Sequence, residues 1–273
     1  MPLLARIAAL YVYPVKSCRG LAVTSARVTE RGLLHDREWM IVDANGRFLS
    51  QREVPLLALI RTAISADALE LSDAEGCVLS VSLDRPGTRR EVAVWRDTVS
   101  AIDQGADAAS WLSSRLGREV RLVRFDPVCR RRCNREYVGD SGAHTGFADG
   151  YPVLVISEAS LADLNTRLAS PLPMNRFRPN VVLGDCEAYD EDHVDQIAAG
   201  PVQMKLVKPC TRCQITTTDQ ETAERGSEPL STLATYRMDR ALDGVAFGVN
   251  AIVTAGFEST LRAGTPVQCT LRF

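Results

Sequence analysis

The sequence predicts a mainly β, α+β protein built as two lobes. Three observations carry that reading. The first ~125 residues are a run of short β-like segments punctuated by Asn, Asp, Gly and Pro; residues 127–150 are polar, Gly-rich and aperiodic; and beyond them strand patterns resume with helical stretches between. At 273 residues the chain exceeds the ~100 to 200 residues usual for one domain, and the lobes are assigned to 1–125 and 126–273.

In chain order, ARIAALYVYPV, LAVTSARV, EWMIVDANGRFLS, LLALIRTAIS, ALELSD, CVLSVSL and EVAVW read as strands, with turns at Asn45-Gly46 and Pro86-Gly87 and the clearest hairpin at ANGRF. Short strands punctuated in this way form a barrel or a sandwich. GADAASWLSSRLG reads as a helix, because Ala108, Trp111, Leu112 and Leu116 recur at helical spacing and Gly117 stands where a C-cap belongs. REVRLVRF closes the first lobe as a strand. In the second lobe YPVLVIS is a strand, and Ser157 caps a helix in EASLADLNTRL. VVLGD, QMKLV, CQITTTD, NAIVTA and PVQCTLRF are strands, and EPLSTLATYR is a helix with Pro229 in its first turn.

A net charge of -2, with 45% apolar and 24% charged residues, describes a soluble globular chain and gives no overall bias towards nucleic acid or membrane. The apolar run from Ile7 to Val15 is far shorter than the roughly 20 residues that cross a bilayer, and no secretory cleavage pattern follows it, so a cytoplasmic protein is expected. The eight cysteines are expected as reduced thiols, with Cys77, Cys186 and Cys269 acting as small buried hydrophobes.

Cys129, Cys133, Cys210 and Cys213 could together supply four thiolates to a zinc ion, although ~76 residues separate the pairs. KPCTRC at 208–213 offers instead a soft, ionisable ligand at the mouth of a strand, with Lys208 and Arg212 alongside to favour the thiolate. In YPVKSCRG, Lys16 and Ser17 sit in a turn where an ammonium, a hydroxyl and backbone N–H groups can converge on an anion. Arg37 opens the strand that contains Trp39. In NRFRPN, Arg178 and Asn180 occupy alternate positions and are expected to face one pocket, and converging arginines are the usual device for phosphate. Asp36, Asp149 and Glu187 are the nearest acids, as proton donors or arginine partners. Arg130, Arg131, Arg132 and Arg135 form a basic loop suited to an acidic electron-transfer protein.

Taken in order and spacing, YPVKSCRG, HDREW, FADGYPVLVISEASLADLN, NRFRPN, KPCTRCQITTTD and EPLSTLATYR resemble the MOSC family, in the branch that places an N-terminal β-barrel domain before the MOSC β-barrel domain with its flanking helices. That branch includes the mitochondrial amidoxime-reducing components and their bacterial relatives. The resemblance implies a molybdenum-molybdopterin cofactor, with Cys213 as the protein ligand to the metal. It further implies Lys16, Ser17 and Arg37 at the phosphate, Arg178, Asn180, Thr211 and Arg212 along the pterin and metal, and Gly150 and Tyr151 on the segment that approaches the cofactor. The activity it implies is reduction of small N-hydroxylated compounds by two-electron oxygen-atom removal, with Cys213 and Arg212 at the reacting centre; the alternative is a molybdopterin carrier or sulfur-delivery module. No plant-type C-x4-C-x2-C spacing occurs, so neither an intrinsic iron-sulfur cluster nor haem is expected, and electrons are expected from a separate ferredoxin- or flavin-type protein.

Overall fold

Seven strands close on themselves in the computed structural model, which describes residues 3–272. Around the barrel the order is Val153–Ser157, Val181–Gly184, Leu3–Val12, Pro266–Leu271, Val194–Ala199, Val202–Thr211 and Gly244–Ala255, and the last pairs back onto the first through Val153↔Ala251 and Val155↔Val249. One neighbouring pair in this wall, Val153–Ser157 with Val181–Gly184, is parallel; the others are antiparallel. Alternation fills the interior: Ile7, Val153, Val155, Val181, Leu183, Ile197, Val249 and Ala251 are buried in one cluster, while Leu154 and Ile156 point outwards to pack with Leu164, Phe177, Leu233 and Phe247 beneath the short helices.

The strand Leu3–Val12 is hydrogen-bonded between strands from the second half of the sequence, so the chain starts in the barrel before it builds the other lobe. That lobe holds a four-stranded antiparallel sheet of Trp39–Asp43, Val120–Phe125, Asp97–Asp103 and Arg89–Val94 and a three-stranded meander of Arg61–Ile64, Ala68–Ser72 and Val78–Ser82. The helix Ala106–Leu116 buries Ala108, Leu112 and Leu116 and ends at Gly117 in the left-handed region (φ 64°), which glycine enters without a Cβ penalty. Ser157 caps the helix Glu158–Thr166 by accepting a hydrogen bond from the Ser160 backbone N–H. Among the described residues no helix is long and apolar enough to cross a membrane.

Several local expectations are corrected. QITT is a 3-10 turn, Gln214–Thr217, and LLAL belongs to another, Pro55–Leu59; their β-branched and aliphatic content mimics a strand, but each is one turn joining longer elements. The 127–150 segment is not uniformly irregular: Arg131–Arg132 pairs with His144–Thr145 around the helical turn Arg135–Val138. Pro229 precedes the helix Leu230–Ala234 as its N-cap. Cys77 is exposed and Cys186 half-buried, while Cys269 is buried as expected. The four cysteines weighed for zinc are dispersed: Cys129 packs on the core of the N-terminal lobe and Cys210 on the cluster outside the barrel.

Candidate functional site

The strand Val202–Thr211 carries KPCT, and its register against Gly244–Ala255 shifts at Leu206/Lys208 and again at Pro209/Thr211. Bulges of this kind re-aim side chains at the end of a strand, and Pro209 has no N–H to lose from the ladder. The chain then turns at Cys213, whose carbonyl accepts from the Thr216 N–H (3.1 Å) and hydroxyl (3.0 Å), closing the 3-10 turn. Cys213 thus stands between a strand end and a tight turn, half-buried, on the wall of a cleft against the outer face of the barrel.

That cleft has about 770 Å³ of empty space including its open mouth, and the ten residues that the resemblance assigns to the cofactor and metal all line it: Lys16, Ser17, Arg37, Gly150, Tyr151, Arg178, Asn180, Thr211, Arg212 and Cys213. Cys210, Asp149, Leu154, Phe177, Thr216 and Asn250 complete much of the wall. Leu154, Phe177 and Asn250 were not anticipated, because each belongs to an ordinary apolar or strand pattern and only the closed barrel brings it here.

Lys16 is 5% exposed; its ammonium donates to the Phe147 carbonyl (2.8 Å) and pairs with the Asp149 carboxylate. Burial lowers the Lys16 pKa, and Asp149 opposes that shift. Partial desolvation at the cleft wall works against the Asp149 carboxylate too, although its side chain is largely exposed, but the Lys16 ammonium and the Trp95 ring N–H (3.1 Å), both on the same oxygen, hold its pKa well below the usual carboxylate range. Arg37 donates to Asp36 (2.5 Å), to the Asn180 side-chain oxygen (2.9 Å) and to the Arg178 carbonyl (3.1 Å). Asn180 also accepts from the Leu154 N–H (3.1 Å), so it pins three segments together. The Asp36 pKa is raised by burial, with Arg37 and the Tyr13 N–H acting against that rise.

Arg178 donates to the Cys18 carbonyl (2.7 Å), and burial brings its pKa down to about 10. It does not occupy the extended position assumed for alternating strand residues: its φ is +57°, and the strand begins only at Val181. Ser17 (φ 68°) and Arg37 (φ 47°) share the left-handed region, which costs a non-glycine residue on the order of 1–2 kcal/mol. Three strained residues on one wall mark a site whose geometry the surrounding structure enforces. Arg212 donates to the Cys210 sulfur (2.9 Å) and the Phe177 carbonyl (2.6 Å), leaving its buried Nε without a partner. It therefore holds Cys210, not Cys213, and the Cys213 thiol stays on the open wall.

Of the acids considered, Asp36 and Asp149 are partners of cleft cations, whereas Glu187 lies outside the lining. The loop arginines do not form one exposed patch. Arg131 is buried, donating to the Gly146 (3.2 Å), Ala148 (2.5 Å) and Asp149 (2.8 Å) carbonyls and to Asp97 (2.5 Å). Arg130 pairs with Glu30 (3.2 Å) and Arg135 with Asp140 (2.5 Å).

Four cations, Lys16, Arg37, Arg178 and Arg212, face two carboxylates, Asp149 and Asp36, so the cleft is positive within a chain whose formal charge is -2. A dianionic phosphate suits that excess, the free Arg212 Nε offers an unused donor, and the Cys213 thiol offers a soft metal ligand. The donor set fits a phosphorylated, metal-carrying group.

Residues 4–119 match the model of the MOSC N-terminal beta barrel domain, and residues 142–268 match that of the MOSC domain. Mouse mitochondrial amidoxime-reducing component 1 is 37% identical over 275 residues, covering 96% of this chain and 81% of that protein. Its human counterpart is 34% identical, covering 96% and 82%. A molybdenum cofactor sulfurase from rice is 34% identical over 272 residues, which span 88% of this chain but 31% of the sulfurase.

Proposed function

Because the chain belongs to the MOSC family, in the branch that joins a MOSC N-terminal beta barrel domain to a MOSC domain, we propose that it is a molybdenum-cofactor-dependent oxidoreductase that reduces N-hydroxylated compounds such as amidoximes and hydroxylamines. The observation that carries this reading is the Cys213 thiol on the wall of a cleft whose charged groups are mostly cations, Lys16 and Arg178 buried and Arg37 and Arg212 half-buried. Lys16, Ser17 and Arg37 hold the phosphate end of molybdopterin, Arg178, Asn180, Thr211 and Arg212 line the pterin and metal, and Cys213 supplies the protein thiolate. When bound, the cofactor supplies the two-electron chemistry that takes oxygen from nitrogen.

The residues themselves bind and orient. Arg212 is anchored by Cys210 and Phe177, so its guanidinium is held in one orientation on the cleft wall beside Cys213. Each turnover consumes two electrons and two protons as N–OH becomes N–H and water. The electrons come from a separate ferredoxin- or flavin-type donor.

The test compares Cys213→Ser with Cys210→Ser, both produced in a host that makes the cofactor. Cys213→Ser is expected to lose molybdenum and to reduce benzamidoxime at least roughly a hundredfold more slowly with an artificial electron donor. Cys210→Ser is expected to retain both metal and activity. Equal metal content and equal turnover in the two variants would remove Cys213 from the assignment. The match to part of a sulfurase supports a second reading, a carrier of molybdopterin or sulfur without turnover of its own. That reading requires a molybdenum-loaded protein that passes its load to an apo-enzyme and leaves benzamidoxime unreduced.

A further inference from the structure

The cleft does not end at Gly150 and Tyr151. A second groove begins on the other side of these two residues, lined also by Trp95, Arg96, Arg132 and Lys208. It is concave, continuous with the cleft through a shared wall, and differently built.

Arg96, Arg132 and Lys208 form no ion pair with any described carboxylate, in a protein where most arginines are paired. The acid in the lining, Asp97, is committed to the buried Arg131 at 2.5 Å. Trp95 is 44% exposed at a hairpin tip in the left-handed region (φ 58°). It is held there by its ring N–H to Asp149 (3.1 Å) and by Arg52, whose guanidinium carbon lies 4.4 Å from the ring centroid. Across the groove the Lys208 ammonium lies 4.5 Å from the ring centre of Tyr137, which packs edge-on against Tyr151. Aromatic surface kept exposed at a conformational cost, between cations without counter-ions, is a recognition surface for a planar anionic molecule.

We propose that this groove is the subsite for an anionic arm of the substrate, so that the preferred N-hydroxylated compounds carry a carboxylate or phosphate on a flat ring. The assignment rests on the function proposed above for the adjoining cleft. The N–OH group enters past Gly150, where a methyl group would meet no atom within 4 Å and passage is open. The ring lies along Trp95 and Tyr151, and the anion meets Arg132 and Lys208. A protein donor with an acidic face would meet the same charges, but a concave groove with aromatic walls is the form taken by small-molecule sites.

The test measures binding to oxidised, molybdenum-loaded protein without electron donor, where no turnover occurs. 4-Carboxybenzamidoxime and the phosphate ester of 4-hydroxybenzamidoxime are compared with the neutral 4-carbamoylbenzamidoxime by calorimetry at low and high salt. Roughly tenfold tighter binding of one or both anions is expected at low salt, and which anion gains more identifies the arm. Arg132→Gln combined with Lys208→Gln is expected to abolish that preference while leaving binding of the carbamoyl compound unchanged. Equal affinity of all three compounds, or a preference that survives the double variant, would overturn the proposal. So would a double variant that changes only the rate with a protein donor, because the charges would then serve docking. If the preference is found but reduced viologen drives no reduction of any compound, the subsite stands and the proposed activity falls.

Discussion

Tyr13 shows at the residue scale how a positive cleft is held together. Its ring is 1% exposed, and the guanidinium carbons of both Arg37 and Arg178 lie 4.3 Å from its centroid. Two cations that would otherwise repel share one π system, a contact worth up to ~2 kcal/mol each where water is excluded. The ring fits because residue 20 is glycine: a Cβ there would lie 2.2 Å from a Tyr13 ring carbon. The phenol oxygen is buried without a partner, so the ring and not the hydroxyl is what matters. Tyr13→Phe is therefore expected to keep the affinity for inorganic phosphate in calorimetry, whereas Tyr13→Leu weakens it roughly tenfold; equal losses would move the role to the hydroxyl. The Lys16 and Asp149 pair carries a pH signature. Asp149 titrates below its unfolded value, so its stabilising contribution is complete above the ordinary carboxylate range and fades only as pH falls through the lowered native value. Asp149→Asn should cost about 1–2 kcal/mol in urea unfolding at pH 7, less than a fully buried pair because the Asp149 side chain is 65% exposed, and the difference should shrink in strong acid. Lys16, Ser17, Arg37 and Arg178 were legible as a candidate anion site because their side chains advertise it. Tyr13, Gly20 and Asn180's triple role were not, since each depends on a neighbour distant in sequence.

At the scale of elements, the barrel closes where Gly244–Ala255 meets Val153–Ser157, and Gly248 makes the closure possible. Its φ is +78°, and a methyl group would stand 2.5 Å from Ile156 Cγ1 and 2.8 Å from the Val155 carbonyl. Gly248→Ala thus combines backbone strain with overpacking and should destabilise the protein by about 3 kcal/mol or more, measured by denaturant midpoint; a loss below 1 kcal/mol would mean the seam can yield. Under the helix Glu158–Thr166, Glu191 is fully buried: one oxygen accepts the Ser157 N–H (3.1 Å) and the other has no partner. Burial raises its pKa, so its cost is absent in acid, where both states are protonated, and grows as pH rises from the unfolded value towards the native one. Glu191→Gln should raise the melting temperature by a few degrees at pH 7 and by nothing measurable at pH 4. The long elements were readable from periodicity and caps, as at Ser157 and Gly117. Residues 214–217 were not, because Ile and Thr favour strands on average and only the turn closed by the Cys213 carbonyl decides otherwise.

For the whole molecule, the decisive fact is that the cleft is assembled from residues as far apart as Lys16 and Asn250, which no local pattern can reveal. What brings them together is the path of the first strand. Leu3–Val12 lies between Val181–Gly184 and Pro266–Leu271, and the chain leaves it through Tyr13 directly into Lys16 and Ser17 on the cleft wall. The same strand therefore closes the barrel and delivers the first cation, so folding of the second half of the chain and assembly of the site are one event. Residues 126–273 expressed alone would leave two barrel strands with unpaired edges and expose the interior around Val181, Leu183 and Val267, which the first strand covers with Ile7 and Leu10. That fragment is expected to be aggregated or to lack a cooperative melting transition. Carrying residues 1–34 on the C-terminal side of residue 273 through a flexible linker should restore a cooperative transition, because the missing strand is then covalently available for the same gap. A fragment 126–273 that melts cooperatively by itself, with strand content matching its share of the full chain, would show that the barrel can close without its first strand and that the two events are separable.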